Sequence, residues 1–232
     1  DYETITLTNQ GDIDNFSTLY PGCTSVRLLT IDGSAINNLS TLSALESAGT
    51  LIVKNTSLTS LASLTSLTSI SDSLVIDNNS LLTSVGLSNV ATLGGLTLRD
   101  LPLLTTLDAL SRSLTDIANS VLVSNSAVTS LAGLSTVVNI GGDLKVTGSN
   151  IIAPGLTSLS TVGYIWFENN SQMTSLGLAP LTNMAGLFLS NLPQITSLGS
   201  SASGLSSGNI ATLWLSGMPQ LTDITYVEQF TS

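Results

Sequence analysis

Residues 74–85 read LVIDNNSLLTSV, and this stretch contains both halves of the pattern that decides the fold. Its first half, LVIDN, has apolar residues at positions one and three and closes on Asn78, which is typical of a short β-strand running into a turn. The same form, closed by Asn, Asp or Gly, is found nine more times, ending at Asn9, Gly33, Asn55, Asp100, Asn125, Gly148, Asn169, Asn191 and Gly217. Successive ends lie 21 to 26 residues apart, which is the period of leucine-rich coils.

The second half of the stretch begins at Leu82 and also recurs once in most coils, for example as LTSL at Leu58 and at Leu156. One coil of this length cannot bury its own leucines, but stacked coils form a continuous core. The sequence therefore predicts a mainly β fold, a right-handed parallel β-solenoid that resembles a leucine-rich repeat stack of about ten coils. We expect the asparagines that close the strands, such as Asn55 and Asn78, to turn inward and bond the turn backbones.

The N-terminal segment departs from the repeat. In residues 12–20, DIDNFSTLY, the apolar residues fall on one helical face, Asp12 is a plausible N-cap, and Pro21-Gly22 ends the helix. We interpret residues 1–25 as a strand with a helical cap and residues 26–232 as repeat coils, so that residues 1–232 form a single domain. No comparable polar lid follows Phe230, so we expect either that the chain stops inside a longer protein or that its last coil packs on a further domain of the same protein.

Composition narrows the classes of function. The net charge is −10 with only 9% charged residues, so the chain has no basic surface with which to bind nucleic acid. No uninterrupted run of 18 apolar residues is present, so we expect no membrane span. Few Lys and Arg residues beside many Ser and Thr residues favour an exported protein, and we interpret Asp1 as the start of a mature or trimmed chain. The lone Cys23 is either a small buried residue or one half of a disulfide.

These motifs together resemble the receptor L-domain group of leucine-rich proteins. The resemblance lies in an opening strand (ITLTNQ, 5–10), a helix, a YPGCTSV turn (20–26) and the repeated coils, and it covers nearly the whole chain. Similar domains occur in secreted surface proteins of bacteria and in fungal GPI-anchored cell-wall proteins. The resemblance implies an extracellular, non-catalytic domain, and it implies a cysteine upstream of the first strand that pairs with Cys23.

The residues give little support to catalysis. Histidine is absent, which removes Ser-His-Asp and Cys-His systems as well as histidine-ligated zinc. The carboxylates are scattered without a defensible acid–base pair, and Asp12 with Asp14 fits a capped helix start better than a calcium site. We therefore predict that the protein is not an enzyme and uses no cofactor or metal.

Strand alternation identifies the sharpest candidate site. The residue after each first core position should face outward, and in three consecutive coils these residues are Trp166, Phe188 and Trp214. A contiguous exposed aromatic surface suits a protein or carbohydrate partner at the cell surface. Two alternatives stay open: a flanking segment or a neighbouring domain covers the rings, or the alternation slips in the later coils.

Three functions remain open at this point. The first is a cell-surface binding or adhesion module that uses Trp166, Phe188 and Trp214. The second is a structural spacer of a cell wall or surface filament. A distant third is an ice-binding protein, suggested by the threonine that recurs in the LTSL motifs, although hydroxyl-to-backbone bonding explains that column better. Asn15 and Asn38 are the favoured glycosylation positions in a eukaryotic source, because we place the sequons at Asn55, Asn78 and Asn169 in the inward ladder.

Overall fold

The computed structural model describes residues 2–107, 110, 113–177, 181–199 and 211–224, and these residues form a mainly β, parallel β-solenoid of about nine turns with little helix. The two α-helices are α1 (Gln10–Asp14) and α2 (Phe16–Leu19), and short 3₁₀ turns lie at Ser40–Leu42 and Ala132–Leu134. The strands are β1 (Tyr2–Leu7), β2 (Ser25–Asp32), β3 (Ser47–Lys54), β4 (Ser69–Asp77), β5 (Thr92–Leu93), β6 (Leu96–Leu101), β7 (Asp116–Ile117), β8 (Val121–Ser126), β9 (Asn139–Ile140), β10 (Leu144–Thr147), β11 (Thr161–Glu168), β12 (Asn183–Ser190) and β13 (Thr212–Ser216).

One long parallel ladder runs the length of the solenoid. It joins β1, β2, β3, β4, β6, β8, β10, β11, β12 and β13, each paired in parallel with the corresponding strand of the next coil. The short strands β5, β7 and β9 continue a second ladder between the first residues of β4 and β11. Ten stacked strands are joined by nine turns, so the structure shows about nine turns and does not confirm the predicted ten coils.

The core is built from the alternation of each strand. Leu51 and Val53 of β3 stack on Leu74 and Ile76 of β4, and all four are fully buried. Leucines of the LTSL motifs add to this core, and Leu58 and Leu82 are both buried. Identical apolar positions thus meet in successive coils, which buries surface that no single coil could hide.

From β3 onward, the residue that closes each strand of the long ladder adopts a left-handed backbone, whereas Asn9 and Gly33, which close the first two strands, do not. Asn55 and Asn78 have φ of 54° and 52°, and Gly148 and Gly217 occupy the same position in other coils. The asparagine side chains are exposed and bond along the stack, since Asn78 Nδ2 donates to Asn55 Oδ1 at 2.8 Å. Asn191 Nδ2 donates to Asn169 Oδ1 in the same way. The prediction that these asparagines turn inward was therefore wrong.

The inward asparagines lie one residue later, at Asn79 and Asn170, and both are fully buried. Asn79 Oδ1 accepts from the backbone N–H of Thr56 at 2.9 Å, and its Nδ2 donates to the carbonyl of Val53 at 2.9 Å. Asn170 repeats these bonds with Ser149 and Val146. The buried amides satisfy backbone groups where the chain leaves the sheet, because water cannot reach those groups.

The N-terminal helical segment differs from the prediction. The N-cap of α1 is Asn9, whose side chain accepts from the backbone of Asp12, and Asp12 completes a capping box as the third residue of the helix. The predicted N-cap at Asp12 was therefore wrong. Asn15 ends α1 and precedes α2, so two short helices stand in place of one. The backbone N–H of Thr8, which donates to the carboxylate at 2.7 Å, lowers the pKa of Asp12.

Cys23 lies in the turn between α2 and β2 and is buried as a free thiol. Its Sγ is 3.5 Å from the carbonyl oxygen of Ser25, and burial raises the pKa of the thiol. The disulfide that the resemblance implies is thus a prediction about residues outside this chain. Among the residues described, no helix has the length and apolar character needed to cross a bilayer.

Candidate functional site

The aromatic column is on the outward face of the sheet, as the alternation predicts. Trp166 of β11 pairs in register with Phe188 of β12, which pairs with Trp214 of β13. Their strand neighbours Ile165, Phe167, Leu187 and Leu189 point the other way and are fully buried. The register therefore does not slip in these later coils, and the three aromatic residues line one groove. On β13 the expected inward residue, Leu213, is nevertheless 41% exposed, so Trp214 is not set apart there by a buried neighbour.

The three rings differ in exposure and packing. The rings of Trp166 and Phe188 stack face to face, with centroids 3.6 Å apart and planes inclined by 5°. Both residues are half-buried, whereas Trp214 is 60% exposed. The stack fixes the orientation of the Trp166 ring before any partner arrives, and Trp214 offers the most accessible ring surface.

Tyr164 is a fourth member of this surface that the sequence reasoning missed. Its ring centroid lies 5.9 Å from that of Phe188 and 6.5 Å from that of Trp166. The ring lies over Gly186, where a Cβ would come within 2.8 Å of the tyrosine Cδ1. A signal was present in the sequence, since Tyr164 shares the outward parity of Trp166 and a glycine occupies the paired position on β12. We call Tyr164, Trp166, Phe188 and Trp214 the aromatic patch.

Polar groups border the aromatic patch: Lys145 pairs with Trp166 on the adjacent strand, and Glu168 and Ser190 follow Trp166 and Phe188 by two residues. The ammonium of Lys145 lies 5.4 Å from the centroid of Trp166 and 3.6 Å from the carboxylate of Glu168. An open groove of about 260 Å³ runs along this border and is lined by Trp166, Glu168, Phe188, Leu189, Ser190 and Trp214. The groove thus combines ring surfaces with a carboxylate and a hydroxyl, and its one acidic side chain has a basic partner.

A second, larger groove lies near the first strands. Its volume is about 410 Å³, and it is mainly polar, with Tyr2, Glu3, Ser25, Val26, Arg27, Ser47, Ala48, Gly49, Ser69, Ser71 and Asp72 as its lining. Arg27 and Glu3 form an exposed ion pair at 3.1 Å across it, and the hydroxyls of Ser47 and Ser25 bond each other at 2.9 Å. These groups already bond one another along the ladder, and the groove offers little ring surface. The aromatic patch is therefore the better candidate.

Several threonines of the LTSL motifs bond the backbone of the neighbouring coil. The hydroxyls of Thr83 and Thr129 donate to carbonyl oxygens of the preceding coil, each at 3.2 Å, and Thr174 does the same at 3.4 Å. These bonds agree with the structural role expected for the column.

The two favoured glycosylation positions are on the surface. Asn15 and Asn38 are both exposed, and Asn38 Oδ1 accepts from the backbone of Ser40 while Asn15 Nδ2 donates to the carbonyl of Gly11. The reason given for excluding Asn55, Asn78 and Asn169 was wrong, because these side chains are also exposed. Glycosylation at any of these positions stays a prediction.

In the part of the chain that the structure describes, no group of three or more His, Cys, Asp or Glu residues is arranged to hold a metal ion. The lowered pKa values of Asp32 and Asp116 follow chiefly from hydrogen bonds donated by Asn55 and Asn139 on the next coil.

Comparisons of the chain with family models, with curated proteins and with solved structures give no match. The similarity to receptor L-domains therefore rests on the motifs alone and stays a prediction.

Proposed function

We propose that this protein is a non-catalytic, extracellular binding module that presents the aromatic patch to a protein or carbohydrate partner at the cell surface. The stacked pair Trp166 and Phe188, with Trp214 exposed beside it, is the observation that carries the proposal. Exposed contiguous apolar surface is uncommon on soluble proteins and usually marks an interaction site. Aromatic residues are also the side chains that contribute most to binding when a partner covers them.

The scaffold supports this role. Side chains on paired strands are held at fixed spacing, so a partner would not have to order a loop in order to bind. Each of the four basic residues that the structure describes pairs with an acidic residue on the adjacent strand, at Glu3–Arg27, Asp32–Lys54, Asp77–Arg99 and Lys145–Glu168. Such exposed pairs contribute about 0–1 kcal/mol each to stability, but they leave the outward face with little uncompensated positive charge.

The finer architecture belongs to the same proposal. We assign the coils the right-handed sense that connections between parallel strands almost always take. The helices α1 and α2 cap the first coil, since Ile13 and Phe16 are buried in the core beside it. The resemblance to receptor L-domains agrees with both assignments and with an extracellular location.

A binding screen with matched variants tests the proposal. The labelled protein is applied to an array of glycans and to a panel of purified extracellular proteins, together with the double variant Trp166→Ala/Trp214→Ala. Leu122→Ala is the control, because Leu122 faces outward and is half-buried in β8, two strands before β11 in the ladder. We expect at least one ligand whose binding the double variant loses and the control keeps.

Circular dichroism checks that the double variant keeps the fold. If no binding to either class of ligand depends on the two tryptophans while the fold is intact, the binding proposal fails. A rigid spacer, in which the coils supply only length, is then the better description of the protein.

A further inference from the structure

We propose that the ligand of the aromatic patch is an uncharged, linear oligosaccharide whose sugar rings lie on Trp214 and along the groove beside it. This inference rests on the proposed function and names the chemical class of its partner. Three features of the patch favour this class over a folded protein: its size, its charge and the chemistry of its two borders.

The patch is small for a protein interface. An aromatic side chain has about 150–250 Å² to bury, and with Trp214 60% exposed, Tyr164 37% exposed and the other two rings half-buried, the patch offers on the order of 300–400 Å² of ring surface. A stable protein complex covers about 800 Å² on each partner. Apolar surface of this extent is enough to cover the faces of a few sugar rings.

The charge around the patch disfavours an ionic ligand. The chain carries a net charge of −10, which repels anionic polymers. A cationic ligand would compete with Lys145, whose ammonium is already 5.4 Å from the centroid of the Trp166 ring and 3.6 Å from the Glu168 carboxylate. Because the Lys145–Glu168 pair leaves the groove without net charge, an uncharged ligand loses least on entering it.

The two borders of the groove match the two kinds of surface on a sugar. The C–H face of a pyranose ring is apolar and packs on an aromatic ring, while its hydroxyls need hydrogen-bonding partners when water is displaced. Trp214 and Phe188 provide the ring surface, and Glu168 and Ser190 provide a carboxylate and a hydroxyl in the same groove. The groove runs along a column of paired strands, so a linear chain can follow it from coil to coil.

Tryptophan fluorescence gives a direct test. The chain has two tryptophans, and both belong to the aromatic patch, so a ligand-dependent change in their emission reports on this site alone. The probes are linear hexasaccharides of glucose and of N-acetylglucosamine, with an oligogalacturonate of the same length as the anionic control. We expect a saturable change with an uncharged hexasaccharide and none with the oligogalacturonate.

Variants connect the signal to the groove. Trp214 is mostly exposed, so Trp214→Ala should leave the fold intact and weaken oligosaccharide binding about tenfold, as Trp166 emission and calorimetry can measure. Leu122→Ala should bind like the unmodified protein.

The outcomes separate this inference from the proposed function. Patch-dependent binding to purified proteins without binding to any uncharged oligosaccharide overturns the sugar assignment and leaves the proposed function standing. Sugar binding that Trp214→Ala does not weaken also overturns the assignment. Absence of any patch-dependent ligand overturns both.

Discussion

Replacing Asn79 by alanine should destabilise the protein far more than replacing its neighbour Asn78. The side chain of Asn79 is fully buried and makes four hydrogen bonds, two accepted from the N–H and hydroxyl of Thr56 and two donated to the carbonyls of Val53 and Asp77. Asn79→Ala leaves at least the Thr56 N–H and the Val53 carbonyl without a partner in a dry interior. At about 1–3 kcal/mol for each such group, the loss is about 4 kcal/mol.

The matched control is Asn78→Gly. Asn78 is exposed, its side chain donates to Asn55, and its φ of 52° suits glycine, which the chain itself uses at Gly148. We expect this variant to stay within about 1 kcal/mol of the unmodified protein.

Urea unfolding followed by circular dichroism measures both variants, and amide hydrogen exchange at Thr56 reports the local bond. Because a solenoid can unfold in parts, the exchange measurement decides whether any loss is confined to the coils around Asn79. Equal destabilisation by the two variants, or a loss below about 1 kcal/mol for Asn79→Ala, would refute the reasoning that the buried amide satisfies the turn.

Three further predictions follow from packing and charge. Hydrogen bonds from the next coil, chiefly from Asn55, hold the pKa of Asp32 below its usual range. The contribution of Asp32 to stability is therefore present above the ordinary aspartate pKa of about 4 and is lost as the pH falls through the lowered folded value. In Asp32→Asn, the urea midpoint should depend less steeply on pH on this acid side. Gly186→Ala should displace the Tyr164 ring and destabilise the protein by about 1–3 kcal/mol, and the loss should shrink in a Tyr164→Ala background, as a double-mutant cycle measures. Phe167→Ala should cost about 3–5 kcal/mol in thermal or urea unfolding, whereas Phe167→Leu should cost less than about 1.5 kcal/mol because Val146 and Leu189 hold the same position in adjacent coils.

Each of these has a result that contradicts it. An unchanged acid limb in Asp32→Asn would show that the bonds from Asn55 and Lys54 do not stabilise the charged form. The same loss for Gly186→Ala with and without the Tyr164 ring would place the strain at the backbone of Thr212 instead. Equal losses for the two Phe167 variants would mean that the site does not tolerate another large apolar side chain.

Most of the strand register was predictable because it depends only on alternation and period. The stacking of Trp166 on Phe188 follows from their shared place in consecutive coils, and the structure confirms their pairing. The lateral contact of Tyr164 was harder to predict. It depends on the absence of a side chain at Gly186, and a pattern of apolar positions gives no information about where a missing side chain leaves room for a ring.

The inward asparagine was misplaced for a local reason. Alternation along Leu74 and Ile76 assigns Asn78, two residues farther on, to the core. The left-handed backbone of Asn78 turns the chain, so Asn79 is the residue that points inward. The glycines at the same position in other coils indicate a positive φ, since Asn, Asp and Gly are the residues that tolerate it. The helix start was misjudged similarly, because Asp12 fits both an N-cap and the third residue of a capping box.

The left-handed turn that follows the strands from β3 onward also makes the coils interchangeable units. Residues 55–77 form one repeat of 23 residues, and Asn78, which starts the next repeat, has the same backbone conformation as Asn55. A tandem copy of it would therefore bring its own turn and its own core leucines. Each added coil would carry the four rings about 4.8 Å farther from the first strand without altering them. The distance of the aromatic patch from the first strand can thus change without any change in the residues that would bind a ligand.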